Sequence, residues 1–347
     1  MRVLFLTYPR IGLNRGGLQI QIEETARSLS KLGLDVVQYD PWKNQVPDVD
    51  ICHVFSIDCS MVDHVTRAVK LKVPVVVCPV LNIFNSPPLL SIVKQKLSVL
   101  PGVYSDLKRA KVMLDAAALV LAANSDEREL LTKVFNVEPA KFRIIPNGIS
   151  MTFRDGDPQL FQEKYGTKNF VLNVASIEPR KNQLTLVRAM RGLPYTLVLV
   201  GRASPENERY FKQVKAEAGS NVQFVGSLQH DDPMLASCYR AAKLFVMPSF
   251  SEVMPLTLNE AAVAGCRILA SDQVPIAEAI APFVRRFRPN DVQAVTRLID
   301  DEMRDQAESA IPQAIRAMPT WDQVGQELLV LYRSLVNCSE PVSQAVC

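Results

Sequence analysis

The sequence predicts an α/β protein made of two similar Rossmann-like halves, each a doubly wound parallel sheet. Three observations carry this. The chain has 347 residues, more than one hydrophobic core usually serves. Short runs that are apolar throughout alternate with amphipathic stretches, the pattern of strands covered on both faces by helices. The alternation also restarts after Pro146–Ser150.

In the first half the strand candidates are Val3–Thr7, Asp35–Tyr39, Asp50–Val54, Val73–Cys78, Ala118–Ala122 and Phe142–Pro146. Between the first two, QIQIEETARSLSKLG has helical spacing and ends in a C-cap glycine, Gly33. A linker is expected around Asn147–Asp157. The second half offers Phe170–Ala175, Tyr195–Gly201, Val222–Gly226, Lys243–Pro248 and Arg267–Ala270. Residues 1–148 and 149–318 are therefore the expected domains, with a ligand crevice outside the carboxyl ends of the strands, between the halves. A last helix, 319–337, carries Trp321, Val324, Leu328, Leu331 and Leu335 on one stripe and needs a surface to pack on. The tail from Val336 is expected to be disordered.

Composition excludes several classes. Seven cysteines, an odd number without a C-x-x-C pair, read as reduced thiols of a cytoplasmic protein rather than a disulfide framework or zinc site. The opening MRVLFLTYP lacks the pattern of a secretion signal, and Met1 is expected to be the mature start. No apolar run approaches the ~20 residues that span a bilayer. A net charge of +3 is too small for a duplex-binding footprint, so no nucleic acid is expected. The positive excess lies in the first half. Lys94, Lys96, Lys108, Arg109 and Lys111 face only Asp106 in that stretch. They are either a solvated helix face or a contact with an anionic membrane surface or a phosphate-bearing acceptor.

Three constellations carry chemistry. In SFSEVMPLTLNEAAVAG, Pro255 favours the first turn of a helix that Gly265 ends, so Glu252 belongs to the preceding loop and Glu260 to the helix. The free N–H groups of Leu256 and Thr257 would make an anion site there, with Glu260 toward a ribose and Glu252 toward the β-substituent of a nucleoside diphosphate. In ASIEPRKNQ, Arg180 and Lys181 are adjacent cations on a strand-to-helix connection, suited to a diphosphate. In NRGGLQIQ, Gly16 and Gly17 permit close backbone approach at a helix start, but the sequence is neither G-x-G-x-x-G nor a Walker motif. DVD (Asp48–Asp50) and DGD (Asp155–Asp157) resemble a metal-holding D-x-D, but both sit in turns that Asp favours for local reasons. No metal and no cofactor are expected.

Taken in order, GG before the first helix, EPRKN, FVGSLQHDD and SEVMPLTLNEA with its E-x7-E spacing resemble the retaining GT-B glycosyltransferases of family 4. The final TW…LLVLY resembles that family's terminal helix, which crosses back onto the first domain. The resemblance implies a UDP- or GDP-linked sugar donor held by the second domain, and a saccharide or lipid-linked acceptor on the first. Arg180 and Lys181 would neutralise the leaving diphosphate, Glu260 would hold the ribose, and Glu252 would lie near the donor sugar. Gly17 would approach the diphosphate as the cleft closes, and Val225 and Gly226 would meet the base. The family's E-G-F-G-L-P is Glu252-Val-Met-Pro-Leu-Thr257 here, and its H-x-H retains only His53, with Phe55 at the second place. His53 is either a core residue or an acceptor-side one. The rival functions are a sugar-nucleotide epimerase or phosphorylase on the same fold, and a binding protein without turnover. Expected localisation is cytoplasmic, with peripheral contact at the inner membrane face as the further option.

Overall fold

Among the described residues, twelve short strands, the inner ones mostly apolar and buried, form two separate parallel sheets in the computed structural model. It describes residues 1–13, 16–40, 48–81, 105–307, 309 and 311–339. Two units result, Met1–Gly148 with Trp321–Cys347, and Ile149–Thr320.

The first unit's sheet contains β1 (Arg2–Thr7), β2 (Asp35–Gln38), β3 (Ile51–Phe55), β4 (Val75–Cys78), β5 (Leu119–Ala122) and β6 (Phe142–Ile144), in spatial order β2-β1-β3-β4-β5-β6. Successive side chains serve opposite faces. Leu4, Cys52 and Val77 enter one apolar cluster, while Val3, Phe5 and Val76 enter the other. The second cluster is closed by the helix Trp321–Ser339, whose Val324, Leu328 and Tyr332 are buried in it. This helix packs against the helix Gly17–Lys31, where the Ser28 hydroxyl donates to the Trp321 carbonyl at 2.8 Å. It continues past Val336 to Ser339, and Val336 packs against the core, so the disorder expected from Val336 begins too early.

His53 belongs to this core. It is 2% exposed, stacks on Phe55 at 4.1 Å, and its Nδ1 lies 2.6 Å from the Tyr332 hydroxyl. Burial pushes its pKa down to about 3 from 6.5. The unfolded chain therefore binds a proton below pH 6.5 that the folded chain refuses until about pH 3, so stability falls on acidification across that window. The slope is ~1.4 kcal/mol per pH unit for one such group. Replacing both partners, His53→Leu with Tyr332→Phe, is expected to flatten the pH dependence of the thermal midpoint between pH 4 and 6. An unchanged slope would show that His53 is protonated in the folded state.

In the second unit, β7 (Phe170–Val174), β8 (Leu197–Val200), β9 (Val222–Gly226), β10 (Ala242–Met247), β11 (Arg267–Ser271) and β12 (Val284–Phe287) lie in the order β12-β11-β10-β7-β8-β9. Phe170, Leu172 and Val174 face one core cluster and Val171 the other. The edge strand β12 is absent from the sequence reading. Its VRRF buries only the two end residues and leaves both arginines exposed, so it lacks the apolar continuity of the inner strands. The expected linker 147–157 is not a loose connection either. Ile149 and Phe153 are buried in this unit's core, Ile149 bridges to Thr320, and Asp157 caps the helix Pro158–Tyr165.

Candidate active site

The order of the second sheet fixes where a ligand can enter. The chain winds outward from β7 through β8 and β9, then returns to start β10 on the other side of β7. Loops leaving the carboxyl ends of β7 and β10 therefore part in opposite directions, the usual crevice of a doubly wound sheet. The loop after β7 carries Glu178, Arg180 and Lys181, and the loop after β10 carries Glu252.

Hydrogen bonds sew these loops together. Asn182, in the left-handed region at φ 56°, donates from Nδ2 to the carbonyls of Pro248 at 3.0 Å and Pro289 at 2.8 Å. The Phe250 amide donates to the Arg180 carbonyl at 2.9 Å. So fixed, Lys181 Nζ reaches Glu252 Oε1 at 2.6 Å and Arg180 Nη1 reaches Oε2 at 3.2 Å. Arg180 also donates to the Ser251 carbonyl at 2.8 Å and to Glu178 at 2.7 Å. The Glu252 side chain is only 8% exposed. Burial alone would raise its pKa, but the charges of Lys181 and Arg180, with hydrogen bonds from Lys181 and Ser249, outweigh that and hold it below the ordinary value. From the sequence, the acid and the two cations have separate tasks. In the structure they meet in one partly buried ion cluster.

The helix Leu256–Ala264 begins one residue after Pro255 and ends at Gly265 in the left-handed conformation. Leu256 and Thr257 form its first turn, whose amides have no partner within the helix. Glu260 is 6% exposed, not a surface residue of that helix. Its Oε2 accepts from the Tyr239 hydroxyl at 2.7 Å, and its Oε1 lies 3.2 Å from His230 Nε2. Val225 packs against the core and Gly226 is exposed at the end of β9. Gly16 and Gly17 stand exposed at the start of Gly17–Lys31, in the first unit.

Glu178, Tyr239 and His230 were not singled out from the sequence. Glu178 sits in the EPRKN motif itself, and its spacing from Arg180 was the available signal. Tyr239 and His230 lie 21 and 30 residues from Glu260, so only the tertiary fold brings them to it. Each of the two D-x-D sequences has a carboxylate engaged by a backbone amide. Asp50 accepts from the Arg2 amide at 2.7 Å, and Asp157 accepts from the Gln159 amide at 2.9 Å. Among the described residues no group of three or more His, Cys, Asp or Glu could hold a metal ion. Lys94 and Lys96 lie outside the described residues. Lys108, Arg109 and Lys111 share the helix Asp106–Ala116, where Lys111 pairs with Asp115 at 2.7 Å and Arg109 approaches Asp63 at 3.9 Å.

Two six-stranded parallel sheets, each wound on both faces, are the GT-B fold, the architecture of a large class of glycosyltransferases. Sucrose-phosphate synthase from Thermosynechococcus elongatus is similar over 97% of this chain and 99% of its own, with a TM-score of 0.77 at 19% identity. An Anabaena protein, Alr3699/HepE in complex with UDP, is similar over 96% and 100%, with a TM-score of 0.73 at 17% identity. Residues 159–316 match the family model of glycosyl transferases group 1. The serotype-specific mannosyltransferase WbdA of Escherichia coli is 35% identical over 159 residues, which is 43% of this chain. The matched part spans about a fifth of WbdA, 19% of its length.

Proposed function

We propose that this protein is a retaining glycosyltransferase that moves a sugar from a nucleoside diphosphate to an acceptor hydroxyl on a saccharide or lipid-linked saccharide. The observation that carries this is the convergence of Lys181 and Arg180 on one buried carboxylate at the crevice of the second sheet, inside the family-matched segment.

Transfer breaks the bond between the anomeric carbon and the β-phosphate oxygen and makes one to the acceptor oxygen, whose proton passes to the departing diphosphate. Negative charge gathers on the departing diphosphate. Fixed cations in a poorly solvated pocket stabilise that charge more than they stabilise the intact donor, which lowers the barrier. Lys181 and Arg180 fill this role, with the Leu256 and Thr257 amides as further donors. Glu252, tethered to both cations, stands where a hydroxyl of the donor sugar can donate to it. Glu260 receives the ribose hydroxyls, and Val225 and Gly226 border the base. Gly16 and Gly17, exposed at a helix start in the first unit, leave bare backbone that a phosphate can approach. Side-chain cations replace a divalent metal in this reading, so EDTA is expected to leave transfer intact. A large loss restored by manganese would overturn it.

The donor is UDP- or GDP-linked. Because the relative WbdA is a mannosyltransferase, a mannosyl donor is the first to try. The deciding experiment incubates the protein with UDP-, GDP- and ADP-sugars, with and without acceptor lipid extracts, and reads products by mass spectrometry. Sugar transfer that requires acceptor supports the reading. Conversion of donor alone would support an epimerase or hydrolase, and no conversion a binding protein.

Work at the cytoplasmic membrane face is also proposed, through the basic residues Lys94, Lys96, Lys108, Arg109 and Lys111. Among the described residues no helix is long and apolar enough to cross a membrane. Reversing Lys94, Lys96 and Arg109 to glutamate is expected to weaken co-sedimentation with anionic liposomes at least tenfold, given ~1 kcal/mol per basic residue at such a surface. Unchanged co-sedimentation would leave these residues as a solvated face.

A further inference from the structure

We propose that His230 is a positioning residue for the donor's ribose, acting through Glu260, and that it sets how strongly the site prefers a nucleoside diphosphate over bare diphosphate. This rests on the donor-site reading above.

A glutamate side chain has three rotatable bonds, and a carboxylate free to turn must be ordered before it can grip a diol. Here the ordering is built in. Tyr239, fully buried, holds Oε2 at 2.7 Å, and His230 holds Oε1 at 3.2 Å. Two tethers on two oxygens fix the plane of the carboxylate. Each oxygen keeps a second lone pair, which is what two vicinal hydroxyls need. Preorganisation of this kind lowers the entropic cost of binding.

The two tethers differ in what lies around them. Tyr239 is sealed in the core, and burial followed by the nearby Glu260 charge pushes its pKa well up, so it stays a neutral donor. His230 has a side chain 21% exposed, on the loop after β9, just before Asp232 caps the helix Pro233–Ala241. Its ring meets Phe153 edge-on at 5.4 Å, and Phe153 in turn meets Tyr239 edge-on at 5.4 Å. Phe153, Tyr239, Glu260 and His230 thus touch in a chain, with His230 as its partly solvated member. The other charged groups of its loop are Asp231 and Asp232, and the latter's carboxylate is engaged by the Met234 amide at 2.9 Å.

The test is calorimetric binding of UDP, GDP, their 2′-deoxy analogues and inorganic pyrophosphate to the full chain and to His230→Ala and His230→Gln. In His230→Ala, affinity for the preferred nucleoside diphosphate is expected to fall about tenfold, the equivalent of one hydrogen bond to a charged group. Pyrophosphate affinity should stay within about twofold, since the cations that hold it are untouched. Removing the 2′-hydroxyl should cost the wild type more than it costs His230→Ala. His230→Gln, which keeps an N–H donor, should recover most of the loss. Equal weakening of nucleotide and pyrophosphate, or an unchanged 2′-deoxy penalty, would assign His230 to general folding and overturn the proposal. A wild type that binds pyrophosphate but prefers no nucleoside diphosphate would overturn the donor-site reading, and this inference with it.

Discussion

Lys181→Ala is expected to lower the transfer rate about 10²–10³-fold, the usual effect of deleting one fixed donor to transition-state charge. Sugar-acceptor affinity should change little. A second consequence is particular to this site. Glu252 would lose its 2.6 Å partner while remaining buried, with Arg180 left at 3.2 Å. In the wild type the Glu252 pKa is held below 4.5, so its contribution to stability is present above that value and lost as pH falls through the folded pKa. Without Lys181, burial dominates and protonation moves to higher pH. Acid unfolding of the variant should therefore begin at a higher pH than in the wild type. Lys181→Arg keeps the charge but not the compact reach of an ammonium, and should restore the acid profile better than the rate. A variant with near-normal turnover would remove Lys181 from the chemistry.

Gly201→Ala is the second large effect. Gly201 follows β8 at φ 145°, and its amide donates to the Gly226 carbonyl at 2.8 Å. A Cβ there would lie 1.9 Å from the Ala175 carbonyl oxygen, a backbone atom that cannot swing aside. Strain and overpacking, each ~1–3 kcal/mol, should together cost about 3 kcal/mol. Ala175 opens the loop that delivers Arg180 and Lys181, so the protein that does fold should also bind nucleotide more weakly. Chemical denaturation and nucleotide titration of the same sample read both. A change in stability below ~0.5 kcal/mol would mean that the loop moves freely around Gly201.

Much of the fold is legible in the sequence because its strands are buried on both faces, and such strands announce themselves as unbroken apolar runs. Val75–Cys78 and Leu197–Val200 are clear for that reason. VRRF is not, since an edge strand with solvated arginines has no such signature. The helix start at Pro255 and its end at Gly265 are readable from backbone chemistry alone. What sequence spacing could not show is partnership. Glu252 and Lys181 are 71 positions apart, and only the return crossing from β9 to β10 brings them together. His53 shows the reverse case, a histidine whose surroundings rather than its type decide that it stays neutral in the core.

The neighbouring ends of the second unit have a consequence for how this protein can be rebuilt. Ile149 donates to the Pro319 carbonyl at 2.9 Å and bridges to Thr320, while Gly148 packs so closely on Trp321 that a Cβ would lie 2.5 Å from its amide nitrogen. The polypeptide thus leaves the first unit and rejoins it at one spot, like a cassette with a single splice point. Residues 149–320 can be lifted out and the cut closed from Gly148 to Trp321 by a short spacer, leaving the first unit with its final helix. The matching segment of a relative can be set in the same opening. Under the proposed function, donor choice would travel with the exchanged unit, provided that position 148 stays glycine.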